Sequence, residues 1–310
     1  MEDKTLIRDR SYTYQLVSFF SDLKYLLKGK VLLANVLPVF TAYWLALYFN
    51  GERFIDHLGI FFLMMIGSTL VISGALMLNN WYEADLDRLM TRTQNRPTVT
   101  GAFRLKAVLW SGIISTLLGL AIMSATTAEA FIYSFAGWFF YVVLYTFWSK
   151  RRYTMNTIVG SISGAFTPLI GWAVIAPAYH IVPLALFYLL LIWQIPHTYA
   201  IAIRRLADYS RAGVPMLPVV RGVDATIRQI MVYVIMLLPF PIMLIDSMGW
   251  LFSVTTAILT FYWIFIASRG HASEDKKIWA KMNLRYSIFY LVLILLMMII
   301  LTSPLVQTFI

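Results

Sequence analysis

Residues 57–80 read HLGIFFLMMIGSTLVISGALMLNN, an apolar stretch without a single Asp, Glu, Lys or Arg. A transmembrane helix needs about 20 predominantly apolar residues, so this stretch is long enough to cross a bilayer. The rest of the chain repeats the pattern. Of its 310 residues, 60% are hydrophobic and 13% are charged, whereas soluble domains have roughly 25% charged residues. We therefore expect an all-α integral membrane protein.

Nine spans of this kind can be placed along the sequence. Short polar loops separate them, which favours one polytopic membrane domain over residues 1–310. Residues 1–30 would form a cytoplasmic or interfacial segment, and residues 31–303 would form nine transmembrane helices. The fifth span is rich in glycine and contains Pro168, as is typical of closely packed or bent membrane helices. The spans lie near residues 31–49, 57–80, 107–125, 129–148, 156–176, 181–203, 228–246, 249–268 and 285–303.

The basic residues fall on one side of this predicted bundle. The sequence has 25 Lys and Arg residues and a formal net charge of +10. With nine spans, 24 of these 25 lie in the N-terminal segment and in loops on the same side, and only Arg53 lies opposite. By the positive-inside rule, we expect a cytoplasmic N-terminus and a C-terminus across what should be a bacterial cell membrane. Topology and attraction to anionic lipid account for the charge, so nucleic acid is not expected as a partner.

Oxygen-bearing side chains cluster where the 57–80 span ends. Asn79, Asn80, Glu83 and Asp87 are spaced by three and four residues, so a continuing helix places them within an arc of roughly 100°, with Asp85 pointing away. The chain has no cysteine, which excludes thiolate ligands. Carboxylate and amide oxygens suit Mg²⁺, which commonly bridges substrate phosphates. The arrangement fits a Mg²⁺-diphosphate site with these four residues, Asn79, Asn80, Glu83 and Asp87, as ligands.

Three arginines follow this cluster and are candidates for charge-assisted hydrogen bonds to phosphate oxygens: Arg88, Arg92 and Arg96. The same pattern is equally compatible with a solvated helix end whose acids neutralise nearby arginines, because charge clusters are common at the ends of membrane helices. Spacing alone does not choose between the two interpretations.

A second polar segment follows the sixth span. On a continuous helix, His197, Arg204 and Asp208 form one stripe at positions i, i+7 and i+11, with Gln194 close beside it. Pro196 removes a backbone hydrogen bond and favours a kink. A lone histidine in an apolar helix is commonly a hydrogen-bonded packing residue, so this stripe gains functional meaning only from its companions.

Together, the two segments resemble the UbiA superfamily of intramembrane prenyltransferases, and within it the branch that modifies heme. The wider superfamily has an Asn-Asp-x-x-Asp-x-x-x-Asp element; here Asn80 and Glu83 stand where its first two aspartates would be, and Asp87 is unchanged. Its second aspartate-rich element is reduced to Asp208 with Tyr209. The resemblance implies a nine-helix UbiA-type bundle around a central cavity that opens toward the cytoplasmic side. The motifs that carry it are NNWYEADLDRLM at 79–90, RTQNRP at 92–97, WQIPHTY at 193–199 and DYSRAGVPMLP at 208–218.

The resemblance also implies a reaction. The farnesyl group of farnesyl diphosphate would be transferred to a vinyl group of heme B, water would be added, and heme O and diphosphate would leave, with Mg²⁺ as cofactor. A heme A synthase or a terminal oxidase assembly would then receive the product. His197 would approach the heme iron or hydrogen-bond a substrate group. The catalytic residues would be Asn80, Glu83, Asp87, Arg92, Arg96, His197 and Asp208. The substrate-binding residues would be Asn79, Arg88, Lys150, Arg151, Gln194, Arg204, Arg205 and Tyr209, with Lys150, Arg151, Arg152, Arg204 and Arg205 as cationic partners for the heme propionates.

Two other functions compete with this interpretation. One is a prenyltransferase of the same type that acts on an aromatic quinone precursor. The other is a transporter that binds an ion through charges inside the membrane. A transporter should carry its binding residues near the bilayer midplane, whereas the acids here cluster at helix ends, which disfavours transport.

Overall fold

The computed structural model of the chain describes residues 21–304, and this part consists of helices and connecting turns without a β-strand. Residues 1–20 of the predicted N-terminal segment therefore lie outside the described residues, and residues 21–26 are helical. A 3₁₀ turn covers Phe54–His57, and a π-helix at Phe140–Ser149 continues α6. The α-helices are α1 (Gly29–Asn50), α2 (Leu58–Tyr82), α3 (Ala84–Leu89), α4 (Pro97–Thr100), α5 (Leu105–Ser124), α6 (Ala128–Phe139), α7 (Asn156–Ala173), α8 (Ile181–Arg204), α9 (Leu206–Arg211), α10 (Leu217–Val220), α11 (Val223–Ile235), α12 (Pro239–Met243), α13 (Ile245–Ser268) and α14 (Lys276–Leu301).

The prediction of an all-α membrane protein is confirmed. Between residues 21 and 304, eight helical stretches are long and apolar enough to cross a membrane, and they coincide with eight of the nine predicted spans. The remaining span, 156–176, corresponds to α7, a helix with many buried residues that does not meet the same criteria of length and composition. The count of nine spans stays a prediction, as do the sides on which the two termini lie.

Glycines bring the helices that surround the site into backbone contact. A Cβ atom added at Gly171 of α7 would lie 1.9 Å from the carbonyl oxygen of Val39 on α1. Likewise, a Cβ added at Gly74 of α2 would lie 2.3 Å from Thr116 Oγ1 on α5. Membrane helices pack through small residues because lipid offers no hydrophobic driving force between apolar helices. The glycines thus fix how closely α1, α2, α5 and α7 approach.

The helix that carries the first polar cluster is interrupted but keeps its face. α2 ends at Tyr82, and Glu83 (φ −97°, ψ 8°) separates it from α3. The Glu83 N–H still donates to the Asn79 carbonyl at 3.0 Å, and the Asp87 N–H donates to the Glu83 carbonyl at 2.8 Å. Because the i to i+4 pattern runs through the break, the predicted spacing by three and four survives.

The second predicted helix is interrupted at one residue. α8 ends at Arg204, and Arg205 (φ −111°, ψ 24°) separates it from α9, which carries Asp208. The Arg205 N–H still donates to the Ile201 carbonyl at 3.0 Å, and the Tyr209 N–H donates to the Arg205 carbonyl at 3.1 Å. The i to i+4 pattern thus runs through this break as well, and the functional stripe of His197, Arg204 and Asp208 stays a prediction.

Candidate active site

The first half of the site joins α2 to the π-helix. The Asn79 amide nitrogen donates to Glu83 at 2.7 Å and to Thr146 Oγ1 at 3.0 Å, and Lys150 Nζ donates to the Glu83 carboxylate at 2.6 Å. Thr146 lies in the π-helix, and Lys150 is the residue directly after it. The Lys150 N–H bonds the Tyr145 carbonyl five residues back, at 2.9 Å. The wide turn sets Thr146 and Lys150 against the polar end of α2, and π-helical turns are frequent at functional sites.

The second half of the site is closed by one guanidinium group. Arg96 Nη1 donates to Asn80 Oδ1 at 3.0 Å and also to the Asp87 carboxylate. Arg96 precedes α4, and its side chain is 13% exposed while that of Asp87 is 4% exposed. The predicted convergence of Asn79, Asn80, Glu83 and Asp87 is thus present as two adjacent pairs.

Lys28 completes the site and was missed by the sequence analysis. Its Nζ donates to Asn79 Oδ1, and two residues earlier the Leu26 carbonyl accepts from the Asn80 amide at 2.5 Å. Lys28 is the only non-glycine residue between 21 and 304 with a positive φ (46°, with ψ 53°). Such a left-handed conformation costs of order 1–3 kcal/mol and is typical of functional sites. The turn before α1 therefore covers both amides.

Charge pairing controls ionisation at this site. Burial alone would raise the pKa of Glu83, but the positive charges of Lys150 and Lys28 outweigh it and lower the pKa. Burial alone would lower the pKa of Lys150, but the Glu83 charge outweighs it and raises the pKa. Lys28 contacts an amide, so burial and the charge of Arg96 hold its pKa well below the usual range. The Glu83–Lys150 pair therefore stays ionised at neutral pH.

Asp85 and Arg151 form a separate ion pair at the edge of the site. Two nitrogen–oxygen distances between them are 2.8 and 2.7 Å, and Arg151 also donates to the Tyr82 carbonyl at 2.7 Å. The Asp85 side chain is 64% exposed, and its hydrogen bond with Arg151 lowers its pKa. As the spacing predicted, Asp85 points away from the cluster. Arg151 is already engaged by it.

Two predicted phosphate-binding arginines lie away from the cluster. Arg88 and Arg92 are exposed, and neither forms a hydrogen bond or an ion pair with the part of the chain that the structure describes. Of the three arginines after α2, only Arg96 contacts the cluster. The predicted roles of Arg88 and Arg92 in substrate binding and catalysis remain untested predictions.

Asp208 ties the second polar segment to the first. Its carboxylate accepts from the Thr91 N–H at 3.2 Å and lies 3.9 Å from Arg205 and 4.0 Å from Arg211. Tyr209, beside it, is buried against residues on both sides of this contact, including Leu86 and Met90. Asp208 therefore contacts the backbone after α3, and its predicted catalytic role stays a prediction.

His197 has a hydrogen-bond partner among residues 21–304 on one ring nitrogen, Nδ1, and none on the other, Nε2. Its Nδ1 lies 2.7 Å from Ser287 Oγ, and its ring stacks on Trp193 with centroids 4.7 Å apart. The single proton of the Ser287 hydroxyl goes to the Leu284 carbonyl at 2.8 Å. The serine oxygen must therefore accept from Nδ1–H, and His197 Nε2 keeps its lone pair.

An apolar cavity of about 150 Å³ begins one helical turn from the charged site. Ala75 and Leu76 of α2 line it, three to five residues before Asn79 and Asn80, which is roughly 5–8 Å along a helix axis. Tyr141 lines it from the π-helix, and its ring lies 5.5 Å from that of Tyr145, over which Lys150 Nζ lies at 5.2 Å. The other lining residues are Val31, Asn35, Ser68, Val71, Ile72, Ser134, Gly137, Trp138, Gly160, Ser163, Thr167, Ile170 and Gln194.

The donor set fits a metal that shares its ligands with a substrate. Every oxygen-bearing side chain of the predicted set is contacted by a cationic nitrogen, from Lys28, Arg96 or Lys150. Between residues 21 and 304, no group of three or more His, Cys, Asp or Glu side chains is placed to hold a metal. Two carboxylates and two amides suit Mg²⁺, which keeps waters and binds substrate phosphates. They suit it better than a metal whose ligands all come from the protein.

Comparison with known proteins identifies the family of this chain. Residues 35–305 match the model of the UbiA prenyltransferase family, and the chain belongs to that family. The protoheme IX farnesyltransferase of Oceanobacillus iheyensis is 46% identical over 290 residues, which cover 94% of this chain and 92% of that protein. The protoheme IX farnesyltransferase of Geobacillus sp. strain WCH70 is 44% identical over 285 residues, which cover 92% of each.

Solved structures agree on the fold. A structure of digeranylgeranylglyceryl phosphate synthase matches with a TM-score of 0.73 at 16% identity, covering 91% of this chain and 98% of the other. A UbiA homologue from Archaeoglobus fulgidus, bound to DMAPP and Mg²⁺, matches with a TM-score of 0.70 at 17% identity, covering 91% and 99%. The predicted UbiA-type helical bundle is confirmed.

Proposed function

We propose that this chain transfers the farnesyl group of farnesyl diphosphate to a vinyl group of heme B, with addition of water, to give heme O and diphosphate. One observation carries the proposal: a buried cluster of carboxylates, amides and cations lies one helical turn from an apolar cavity. It does so in a chain 46% and 44% identical to two proteins named protoheme IX farnesyltransferase.

The cationic side chains bind the diphosphate. Lys28, Arg96 and Lys150 come from three different segments and converge on the polar end of α2, so a diphosphate there would accept charge-assisted hydrogen bonds from three directions. Mg²⁺ held by Glu83, Asp87, Asn79 and Asn80 would neutralise the negative charge that develops as the diphosphate leaves. Fixed charges in a buried site need no reorganisation during the reaction, which makes them effective catalysts.

The cavity houses the farnesyl chain and protects the allylic cation. Its wall contains aliphatic side chains such as Val71 and Ile170 together with the aromatic rings of Trp138 and Tyr141. An apolar wall keeps bulk water from the cation, and aromatic faces attract positive charge. The protein side chains thus orient the reactive carbon of the farnesyl group next to the diphosphate, and the rest of the farnesyl group lies along α2.

The acceptor heme lies with α8 and α9 on one side and the charged cluster on the other. Lys150 belongs to the diphosphate cluster through its contact with Glu83, and Arg151 is paired with Asp85 outside it. Arg204, which has no close ion pair among residues 21–304, and Arg205, 3.9 Å from Asp208, are therefore the better partners for the propionates. The lone pair on His197 Nε2 makes that residue the candidate axial ligand of the heme iron.

Replacing His197 with Ala tests the ligand role. We expect the Soret band of heme B bound to the purified protein to shift, because loss of an axial nitrogen changes the ligand field of the iron. Ser287→Ala serves as the matched variant: it removes the hydrogen bond to Nδ1 but leaves Nε2, so its spectrum should stay closer to that of the unmodified chain. An unchanged spectrum in His197→Ala rejects the ligand role.

The function itself is tested with the purified protein in detergent or vesicles, supplied with heme B, farnesyl diphosphate and Mg²⁺. Heme O should form, be identified by mass, and disappear when Mg²⁺ is chelated. Parallel reactions with hydroxybenzoate and dihydroxynaphthoate acceptors address the competing function. Prenylation of either aromatic acid without formation of heme O would reject the proposal.

We place the reaction in a bacterial cell membrane, with the N-terminus and the charged cluster on the cytoplasmic side and the C-terminus opposite. The positive-inside asymmetry of the loops supports this orientation. A heme A synthase or a terminal oxidase assembly is the proposed recipient of the product, because the farnesyl chain of heme O keeps it in the membrane.

A further inference from the structure

The polar groups that line the apolar cavity differ in how they are satisfied. Four hydroxyls, those of Ser68, Ser134, Ser163 and Thr167, each donate to a carbonyl oxygen three or four residues earlier on their own helix, at 2.7–3.4 Å. The Asn35 amide likewise donates to the Val31 carbonyl at 2.8 Å. These donors are already hydrogen-bonded within their own helices and do not need a ligand as an acceptor.

Three cavity groups have no hydrogen-bond partner among residues 21–304. The indole Nε1 of Trp138 is buried. The Gln194 amide and the Tyr141 hydroxyl belong to partly buried residues that line the same cavity. Buried polar groups in native proteins are almost always paired with protein or water, so the Trp138 N–H indicates a polar guest, and the Gln194 amide is available to the same guest.

The helices that carry the two groups pack against neighbouring positions of α7. A Cβ added at Gly137, next to Trp138, would lie 3.4 Å from the Ser163 carbonyl oxygen. One residue further along α7, a Cβ added at Gly164 would lie 2.3 Å from Gln194 Nε2 and 2.6 Å from its Oε1. Gly164 therefore provides the space in which the Gln194 amide sits, and Gln194 and Trp138 line the same cavity.

A water molecule fits the chemistry of this pair. The Trp138 N–H donates to the water oxygen and the Gln194 carbonyl oxygen accepts one of its protons, which leaves one lone pair of the water free. A neutral amide and a neutral indole hold water without adding charge. An apolar cavity can therefore accommodate them beside a cation.

We propose that Trp138 and Gln194 hold the water molecule that is added during the reaction, an inference that rests on the proposed function. The bond from farnesyl C1 to the diphosphate oxygen breaks, and C1 bonds to the terminal vinyl carbon of heme B. Positive charge then lies on the vinyl carbon next to the porphyrin. The held water bonds to that carbon through its oxygen, and the proton it loses goes to the released diphosphate. Atoms and charge balance without a further reactant.

The proposal predicts a change of product. A cation that meets no water loses a proton from the neighbouring carbon and forms an alkene, lighter than heme O by one water molecule. In Gln194→Leu and Trp138→Phe, the share of this dehydrated heme should rise about tenfold, as expected for loss of one hydrogen bond to the reacting molecule. Total consumption of farnesyl diphosphate should change less than the product ratio.

Thr167→Val is the matched control, because it removes a polar group from the same cavity whose proton is already used by its own helix. The variants are compared by mass spectrometry of the hemes formed in isotopically labelled water. A product ratio in Gln194→Leu and Trp138→Phe equal to that of Thr167→Val overturns the inference. If Gln194→Leu forms no prenylated heme, the ratio in Gln194→Asn decides in the same way. Absence of prenylated heme from the unmodified chain would instead reject the proposed function and the inference with it.

Discussion

Replacing Glu83 with Gln is expected to lower kcat roughly 100- to 1,000-fold, the range typical for removing one group that stabilises transition-state charge. Gln keeps the size of the side chain and one oxygen but cannot supply the negative charge that Mg²⁺ requires. Glu83 is 4% exposed and pairs with Lys150, so no solvent ion can replace it directly. The measurement is the rate of heme O formation at saturating Mg²⁺ and both substrates.

Asp85→Asn is the matched control, since it makes the same chemical change two residues away. Asp85 is exposed and pairs with Arg151 outside the cluster, and exposed ion pairs contribute only about 0–1 kcal/mol. Its kcat should therefore stay within about fivefold of the unmodified value. Equal losses in the two variants would contradict the placement of the metal ligands on the Glu83 face.

A structural explanation for an inactive Glu83→Gln can be tested separately. Removing one partner of a buried pair leaves Lys150 unpaired, which typically costs 3–5 kcal/mol of stability. The double variant Glu83→Gln with Lys150→Met removes both charges and should recover much of the melting temperature in detergent. If it also recovered activity, the carboxylate would be structural and the assignment of Glu83 to the metal site would be wrong.

The sequence predicted those parts of the molecule that depend on local pattern. Eight predicted spans coincide with helices because a stretch of about 20 apolar residues has few alternatives in a bilayer. The Asn79 and Glu83 face was predictable because spacing by three and four survives the break at Glu83. Asp85 was correctly placed off this face by the same geometry.

The remainder depends on contacts between distant segments. No periodicity indicates that Lys28 would reach Asn79, 51 positions further along the chain, since this requires a left-handed turn before α1. The break at Arg205 has no signal in the sequence either, because residues 193–211 contain no glycine to mark the end of α8.

Lys28→Met is expected to raise the KM for farnesyl diphosphate about 10- to 100-fold, with a smaller change in kcat. A unit charge at about 4 Å is worth from about 1 kcal/mol in water to about 4 kcal/mol at a partly buried site, and each 1.4 kcal/mol is tenfold. Met keeps the apolar stem of the side chain and removes only the charge. Because the diphosphate carries its charge both before and during the reaction, the loss should fall mainly on binding.

Lys30→Met is the control that separates a specific contact from general attraction. It removes the same charge from the same turn of the chain, but Lys30 is exposed, so salt and water screen it and the KM of this variant should rise less than about threefold.

The pH dependence of the KM is a second test of the role of Lys28. The pKa of Lys28 lies well below the usual lysine range because of burial and Arg96, so Lys28 loses its charge as pH rises and the KM of the unmodified chain should rise with it. That rise should be absent in Lys28→Met and present in Lys30→Met. A KM that depends on pH in the same way in all three proteins would mean that Lys28 supports the fold of the turn before α1 and does not bind the diphosphate.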